Sequence, residues 1–364
     1  MLQTSPGVRL VREAESVVAI RALHAHAAGH IGLAALLGDL PRRMRRAPLL
    51  PRVLGRGVSR AWAWNRHDQA DRQWYPQGIA TAHDTAGYSM LPEHRHVVAT
   101  SWYSTGRDGT RRGARITFVD LDRRRYEHAL LVVPSLDTQG RLHLEPLHVH
   151  AGGLVWAGPW LHVAATRRGF ATAHVDDLMR VAGPVRSASN FGVRRDGIEA
   201  YGHRWVLPVR TMHRATTDPG HQALRYSFLG LDASADPPAL LTGEYAAQRK
   251  DPRRLARFTL DPLTWQVVTD ARAEATPSWL ENGGVARMQG AVAAHGRLYV
   301  STSRGPWAPG TLWTGPPGRL RPRRGVLPMG PEDLTYSPPS DELWTLTEHP
   351  RRRWIVTMRR DQFD

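Results

Sequence analysis

The chain has 364 residues, 41% hydrophobic and 23% charged, enough apolar material for a sizeable core, which excludes global disorder. It has no cysteine, which excludes disulfides, thiolate metal centres and cysteine nucleophiles, and no apolar run approaches the roughly 18 residues a transmembrane helix needs. The formal net charge of +16 raises the question of nucleic acid. However, Lys250 is the only lysine among 49 basic residues, and the arginines fall in short runs from Arg42 to Arg360. That pattern reads as compositional bias rather than one phosphate-tracking stripe, so nucleic acid is not expected as a partner.

Taken in chain order, residues 9–38 carry apolar positions at Leu10, Ala14, Val17, Val18, Leu23, Ala27, Ile31, Ala34 and Ala35. This is close to a helical period, with Gly38 as a stop. Arg9, Arg12, Glu13, Glu15 and Arg21 interrupt the stretch where a secretory leader needs a continuous apolar core, so a cytoplasmic location is expected. Pro41 to Pro51 holds three prolines and four arginines and reads as an exposed linker. Residues 1–58 are therefore expected to be an N-terminal helical appendage with a Pro/Arg-rich linker, dispensable to a β domain spanning 59–364.

From about residue 60 the pattern changes to short β runs with a weak internal repeat. Gln77-Gly-Ile-Ala with His96-Val-Val-Ala-Thr-Ser, Gly153 to Thr166, Gln289 to Thr302 and Glu332 to Thr347 each read as a strand, a tight turn and a second strand ending in hydroxyl residues. Less regular units follow around Trp205–Leu231 and Leu240–Leu260. Repeated four-stranded units around a channel define an all-β propeller. At roughly 40–50 residues per blade, the region holds six blades, or five with long insertions. Segment Trp74–Ile79 is expected beside Trp354–Met358 to close the ring, since closure protects sheet edges.

Inner strands of a propeller run along its axis, so a residue at the head of each can face an axial funnel. Gln77, Gln289 and Glu332 hold equivalent places, and His148 and His150 precede the corresponding strand of another unit. These form a mixed polar pocket suited to a small-molecule ligand. Asp333 and Trp74 are expected to contact that ligand as well, and Trp62, Trp64 and Trp74 to wall the funnel. In an extended His148-Val-His150 both imidazoles share one side, so His148, His150 and Glu332 are candidate ligands of a divalent metal ion, a set that suits Zn, Fe or Mn better than Ca. The alternative is that these histidines only hydrogen-bond strand ends. His83-Asp84 and Glu348-His349-Pro350 read as turns. Ser301-Thr302-Ser303 lacks the glycine-flanked elbow of a nucleophile.

The strings Trp74-Tyr-Pro-Gln-Gly-Ile79, His148-Val-His-Ala-Gly-Gly153, Met288-Gln-Gly290, Gly330-Pro-Glu-Asp-Leu334 and Leu346-Thr-Glu-His-Pro350 resemble those of uncharacterised actinobacterial propeller-like proteins, often labelled as secreted, over about residues 60–360. At the level of a polar residue plus glycine heading a blade, the chain is also similar to the regucalcin/gluconolactonase and strictosidine synthase propellers. The first of these implies a divalent cation that activates hydrolysis, held there by Glu, Asn and Asp; here only Glu332, with Asp333, supplies charge. The expected function is an enzyme of specialised metabolism, a metal-assisted hydrolase or lactonase, or a lyase or cyclase. In it Glu332, His150 and His148 would carry catalysis, and Gln77 and Gln289 would orient the substrate. The alternative is a non-catalytic propeller that binds a small molecule, glycan or protein over its funnel face.

Overall fold

The structure, a computed structural model, describes residues 7–82, 96–182, 187–195, 197–232, 234–248 and 250–364. The short apolar runs close into hairpins where the sequence supplies residues that tolerate positive φ. Ala294 pairs with Arg297 across His295-Gly296, whose φ angles are 50° and 71°. Such a two-residue turn has a twist that matches antiparallel strands.

Repetition of this unit gives a β-propeller of five blades, the smaller of the two counts expected. The inner strands are Trp74–Thr81, Leu154–Ala157, Phe228–Asp232, Met288–Ala294 and Pro331–Ser337. Each packs against the next, and the fifth returns to the first. The third blade uses Phe228–Asp232, Ala239–Gly243, Leu255–Thr259 and Trp279–Glu281, absorbing most of what the sequence suggested as two units. The missing sixth blade is the long strand Trp205–Thr217. Its first half runs parallel to Ala129–Val132 of blade one, and its second half pairs with Gly169–Ala173 of blade two. It spends chain length on the rim and supplies no inner strand.

Closure differs from expectation. In blade five, Trp354–Arg359 pairs with Arg60–Ala63, Trp354 opposite Ala63 and Ile355 opposite Trp62. Trp74–Ile79 lies in a different sheet, because it is an inner strand whose ladder edge is taken by Val97–Ser104. The ring is thus closed by the segment preceding the first inner strand.

The N-terminal region is also more integrated than its pattern implied. Residues 9–38 form two short helices, Val17–His24 and Leu33–Gly38, with strand Ala27–Ile31 between them, while Val8–Arg12 is a strand. Gly29 and Gly32, at φ 75° and 87°, sit where no right-handed helix can continue. Val8 and Leu10 are buried while Arg9 is only partly so, which is a strand's alternation. That strand pairs with His213–Thr217 and with Glu274–Ala275. The Pro/Arg segment is stitched down too, Arg42–Arg43 against Arg125–Tyr126 and Arg45–Arg46 against Trp62–Ala63. Leu33, Leu36 and Leu37 share a core cluster with Trp156 and Trp205.

Candidate active site

The glycine beside each funnel residue has a steric cause. Neighbouring inner strands approach so closely that a Cβ on Gly153 would lie 2.1 Å from Leu229 N, and one on Gly290 would lie 2.4 Å from Leu334 N. Gly78 and Gly230 are confined in the same way. Because side chains alternate along a strand, fixing glycine at the blade-to-blade contact turns Gln77, before Gly78, and Gln289, before Gly290, toward the axis. Blade five has Asp333 at this level. Its Oδ2 accepts from Ile79 N at 3.1 Å and Leu154 N at 3.0 Å, so one carboxylate binds the inner strands of blades one and two to blade five.

The axial cavity, about 330 Å³, is lined by Gln77, His150, Gln289 and Glu332 among the residues expected there. Tyr103, Thr166, Ser227, Tyr245 and Glu348 complete much of its wall. The inner-strand heads meet the exits of second strands, since Tyr103 lies at the end of Val97–Ser104 and Glu348 follows Glu342–Thr347. Second-strand hydroxyls fix this level: Ser301 Oγ donates to Glu332 O at 2.7 Å, and Thr345 Oγ1 to Asp333 O at 2.6 Å.

Glu332 is 4% exposed, and its carboxyl hydrogen-bonds that of Glu348. Burial, then the charges of Glu348 and Asp333, hold Glu332 well above the usual carboxylate range. Glu348 is raised as well by burial, but His349, the Gln77 amide and Arg353 pull it back. Two carboxyls this close share one proton, and the proton belongs to the pair. Gln77 Nε2 donates to Glu348 Oε2 at 2.9 Å and Gln289 Nε2 to Glu332 Oε1 at 3.4 Å. The two predicted amides therefore each hold one carboxyl. The Tyr103 ring packs 4.5 Å from His150, and burial and the two glutamates push its phenol up to about 12. Burial lowers the His150 imidazole below its ordinary value, favouring the neutral ring.

Glu348-His349-Pro350 leaves the strand in a turn, as its pattern implies, but Glu348 also faces the cavity, so Glu332 is not the only charge in the ring. Arg353, fully buried, places Glu348: its Nε donates to Glu348 O at 2.8 Å, its Nη1 to Asp68 O at 2.6 Å, and its guanidinium lies 5.0 Å from the Tyr75 ring. The signal available was the hydroxyl-rich end of each second strand, whose next residues emerge on the same face as the strand heads.

Five residues expected at the funnel are not brought to the axial cavity. Trp74 is buried with the Arg115 guanidinium 4.5 Å from its ring. Trp62 stacks on Trp344 at 5.7 Å, and Trp64 packs edge-on to Trp102 at 5.0 Å, so these tryptophans build core rather than funnel wall. Asp333 is engaged between blades. His148 lines a second cavity beside the first, which His150 also borders, and residues 147–153, where both stand, are not a strand. His83-Asp84 lies outside the described residues.

The His148, His150 and Glu332 set does not fit a metal ion as the side chains stand. Among the described residues, the one group of three such ligands converging within 4.8 Å is His67, Asp68 and Asp71, and the carboxyls of the funnel are bound to each other and to amide N–H groups. Asp68 is itself engaged by Tyr126, His128 and Arg42, so that group is an ion-pair network. No helix among the described residues is long and apolar enough to cross a membrane.

No family model matches the sequence, and no curated protein does. Among solved structures, the chain is similar to a gluconolactonase from Xanthomonas campestris, at 14% identity and TM-score 0.37, covering 91% of this chain and 98% of that one. It is also similar to PhoX from Pseudomonas fluorescens in complex with vanadate, at 10% identity and TM-score 0.41, over 89% and 96% of the chains. A third is the PQQ-bound aldose sugar dehydrogenase from Streptomyces coelicolor, at 12% identity and TM-score 0.34, over 88% and 99%.

Proposed function

We propose that the axial cavity is an acid–base active site for a small organic molecule, with hydrolysis of a lactone or ester as its reaction. The observation that supports this is the proton-sharing pair Glu332 and Glu348. A carboxyl held well above the usual carboxylate range by burial, beside a second carboxyl with which it shares a proton, is an arrangement suited to general acid–base chemistry. In the proposed step, Glu348, or neutral His150, takes a proton from an attacking water. The water oxygen bonds to the acyl carbon, the acyl C–O bond breaks, and Glu332 gives its proton to the departing alkoxide. Tyr103 donates a hydrogen bond to the substrate, while Gln77 and Gln289 hold the two carboxyls in register. The same pair can remove and return a proton in a lyase or cyclase reaction.

The test is proton release at pH 7 across a panel of sugar lactones and simple esters, with wild type beside Glu332→Gln and Glu348→Gln. Turnover reduced at least about 100-fold in both variants, the range general acid–base groups usually supply, with unchanged circular dichroism, supports the reading. Equal turnover in wild type and variants overturns it. A second, non-catalytic reading is favoured by Trp307, which is 74% exposed with the Arg352 guanidinium 4.0 Å from its ring. This is a platform on which a sugar ring could stack. Saturable glycan binding lost in Trp307→Ala, with no turnover, would establish it.

A further inference from the structure

We propose that the cavity beside the funnel, between blades one and two, is an oxyanion subsite that holds the carboxylate or phosphate of the small molecule whose reacting part lies over Glu332 and Glu348. The inference rests on the acid–base reading above and adds the class of substrate. This cavity also measures about 330 Å³ and shares Tyr103, His150 and Thr166 with the axial one as a common wall. Its far side is made by Arg111, Arg168 and His148.

Four features make it a built site. Arg111 stands on the loop between Val97–Ser104 and Ala114–Asp120, and Arg168 on the turn after Trp160–Ala165, so two different blades each contribute a guanidinium. Neither has an acidic partner among the described residues; Arg168 donates only to the backbone carbonyl of His148. Arg112, next to Arg111 in the chain, is by contrast paired with Asp108. Thr166 Oγ1, buried in the shared wall, has no hydrogen-bond partner, and a side-chain rotation would turn it to donate to a bound oxyanion. Burial, then the charge of Arg111 and, after the opposing Glu145, that of Arg168, lower the His148 imidazole, which places both positive charges in its field.

The arrangement also dictates orientation. The paired glutamates at the funnel floor repel an anion, while the two guanidiniums attract it, so a ligand with one anionic end and one neutral reactive end can sit in only one direction. Sugar acids and phosphorylated sugars have this chemistry, and a neutral aldose does not.

The full-length protein can be titrated with sodium phosphate and, separately, sodium acetate at constant ionic strength, following the His148 imidazole signals by NMR. The expected result is a saturable shift with at least one of the two anions. In Arg111→Gln/Arg168→Gln that anion should half-saturate at least fivefold higher, with an unchanged thermal midpoint. The anion that binds more tightly identifies the source as carboxylate or phosphate. A shift that fails to saturate with both anions, or one identical in wild type and double variant, overturns the subsite. Glu332→Gln is expected to keep the anion titration while losing turnover, so failure of the subsite and failure of the acid–base reading are read separately.

Discussion

Gln77 Nε2 donates to Glu348 Oε2 at 2.9 Å across a sequence separation of 271 residues. The head of the first inner strand is thereby tied to the exit of a second strand in the last blade. The bond makes the chemistry of the carboxyl pair conditional on ring closure, since Glu348 is aimed only when blade five has met blade one. Gln77→Leu should leave Glu348 without its neutral donor, shift its ionisation further upward and narrow the pH range of activity, with global stability changed by about 1 kcal/mol or less. A pH–rate profile unchanged in the variant would show that Gln77 does not position the pair.

Glu332 ties stability to pH. Its folded-state ionisation lies above the ordinary value of 4.5, so the folded protein holds this proton more tightly than the unfolded chain does. The resulting stabilisation is fully present below the unfolded value and is lost as pH rises through the folded one. Glu332→Gln keeps the shape and removes the titration. The variant should match wild type within about 1 kcal/mol near pH 4 and become progressively the more stable of the two toward pH 8, as read by urea midpoints across that range. A difference that stays constant with pH would place the titration elsewhere.

Asp333 should matter to folding rather than to ligand binding. Its carboxylate accepts the Ile79 and Leu154 amides, and removing it strands two buried donors at about 1–3 kcal/mol each. Asp333→Ala is therefore expected to cost about 2–5 kcal/mol in denaturant unfolding. Full stability with loss of ligand affinity would instead return Asp333 to the pocket.

Gly290→Ala tests the close approach of blades four and five. A methyl placed 2.4 Å from Leu334 N must push two inner strands apart, and overpacking of this kind costs about 1–3 kcal/mol. A thermal midpoint equal to wild type would mean that the inner strands can shift without strain.

Deletion of residues 1–55 should now abolish cooperative unfolding or lower the midpoint sharply. It removes the pairing of Val8–Arg12 with His213–Thr217 and the burial of Leu33, Leu36 and Leu37. Circular dichroism melting of the truncated chain, compared with the full one, decides this, and an unaltered midpoint would mark the segment as an appendage.

The propeller and the funnel-facing Gln77, His150, Gln289 and Glu332 were legible because their cause is local. A glycine forced by close packing follows Gln77 and Gln289, and His150 and Glu332 each have one two residues away, so polar-plus-glycine recurs in the sequence itself. Glu348 was not legible: its orientation depends on Arg353 bridging to Asp68, and no pattern within ten residues encodes that bridge. The first strand was hidden for a similar reason. Five residues of alternation at Val8–Arg12 are outweighed by the alanine-rich helical periodicity that follows, and its partner lies some 200 residues downstream, Val8 opposite Thr217. Trp74 misled because a tryptophan before a strand head can wall a funnel or cover a buried guanidinium equally well, and Arg115 lies on a different strand.

Closure by Arg60–Ala63 also sets a schedule for biogenesis. Ser59 Oγ donates to Thr357 O across 298 residues, so the partner of this early segment is synthesised 298 residues after it. At the usual ~5–20 residues per second of synthesis, Arg60–Ala63 waits on the order of 15–60 s with an open ladder edge. During that interval Trp62 lacks its stacking partner Trp344, and the unpaired edge is open to a holdase or a neighbouring nascent chain.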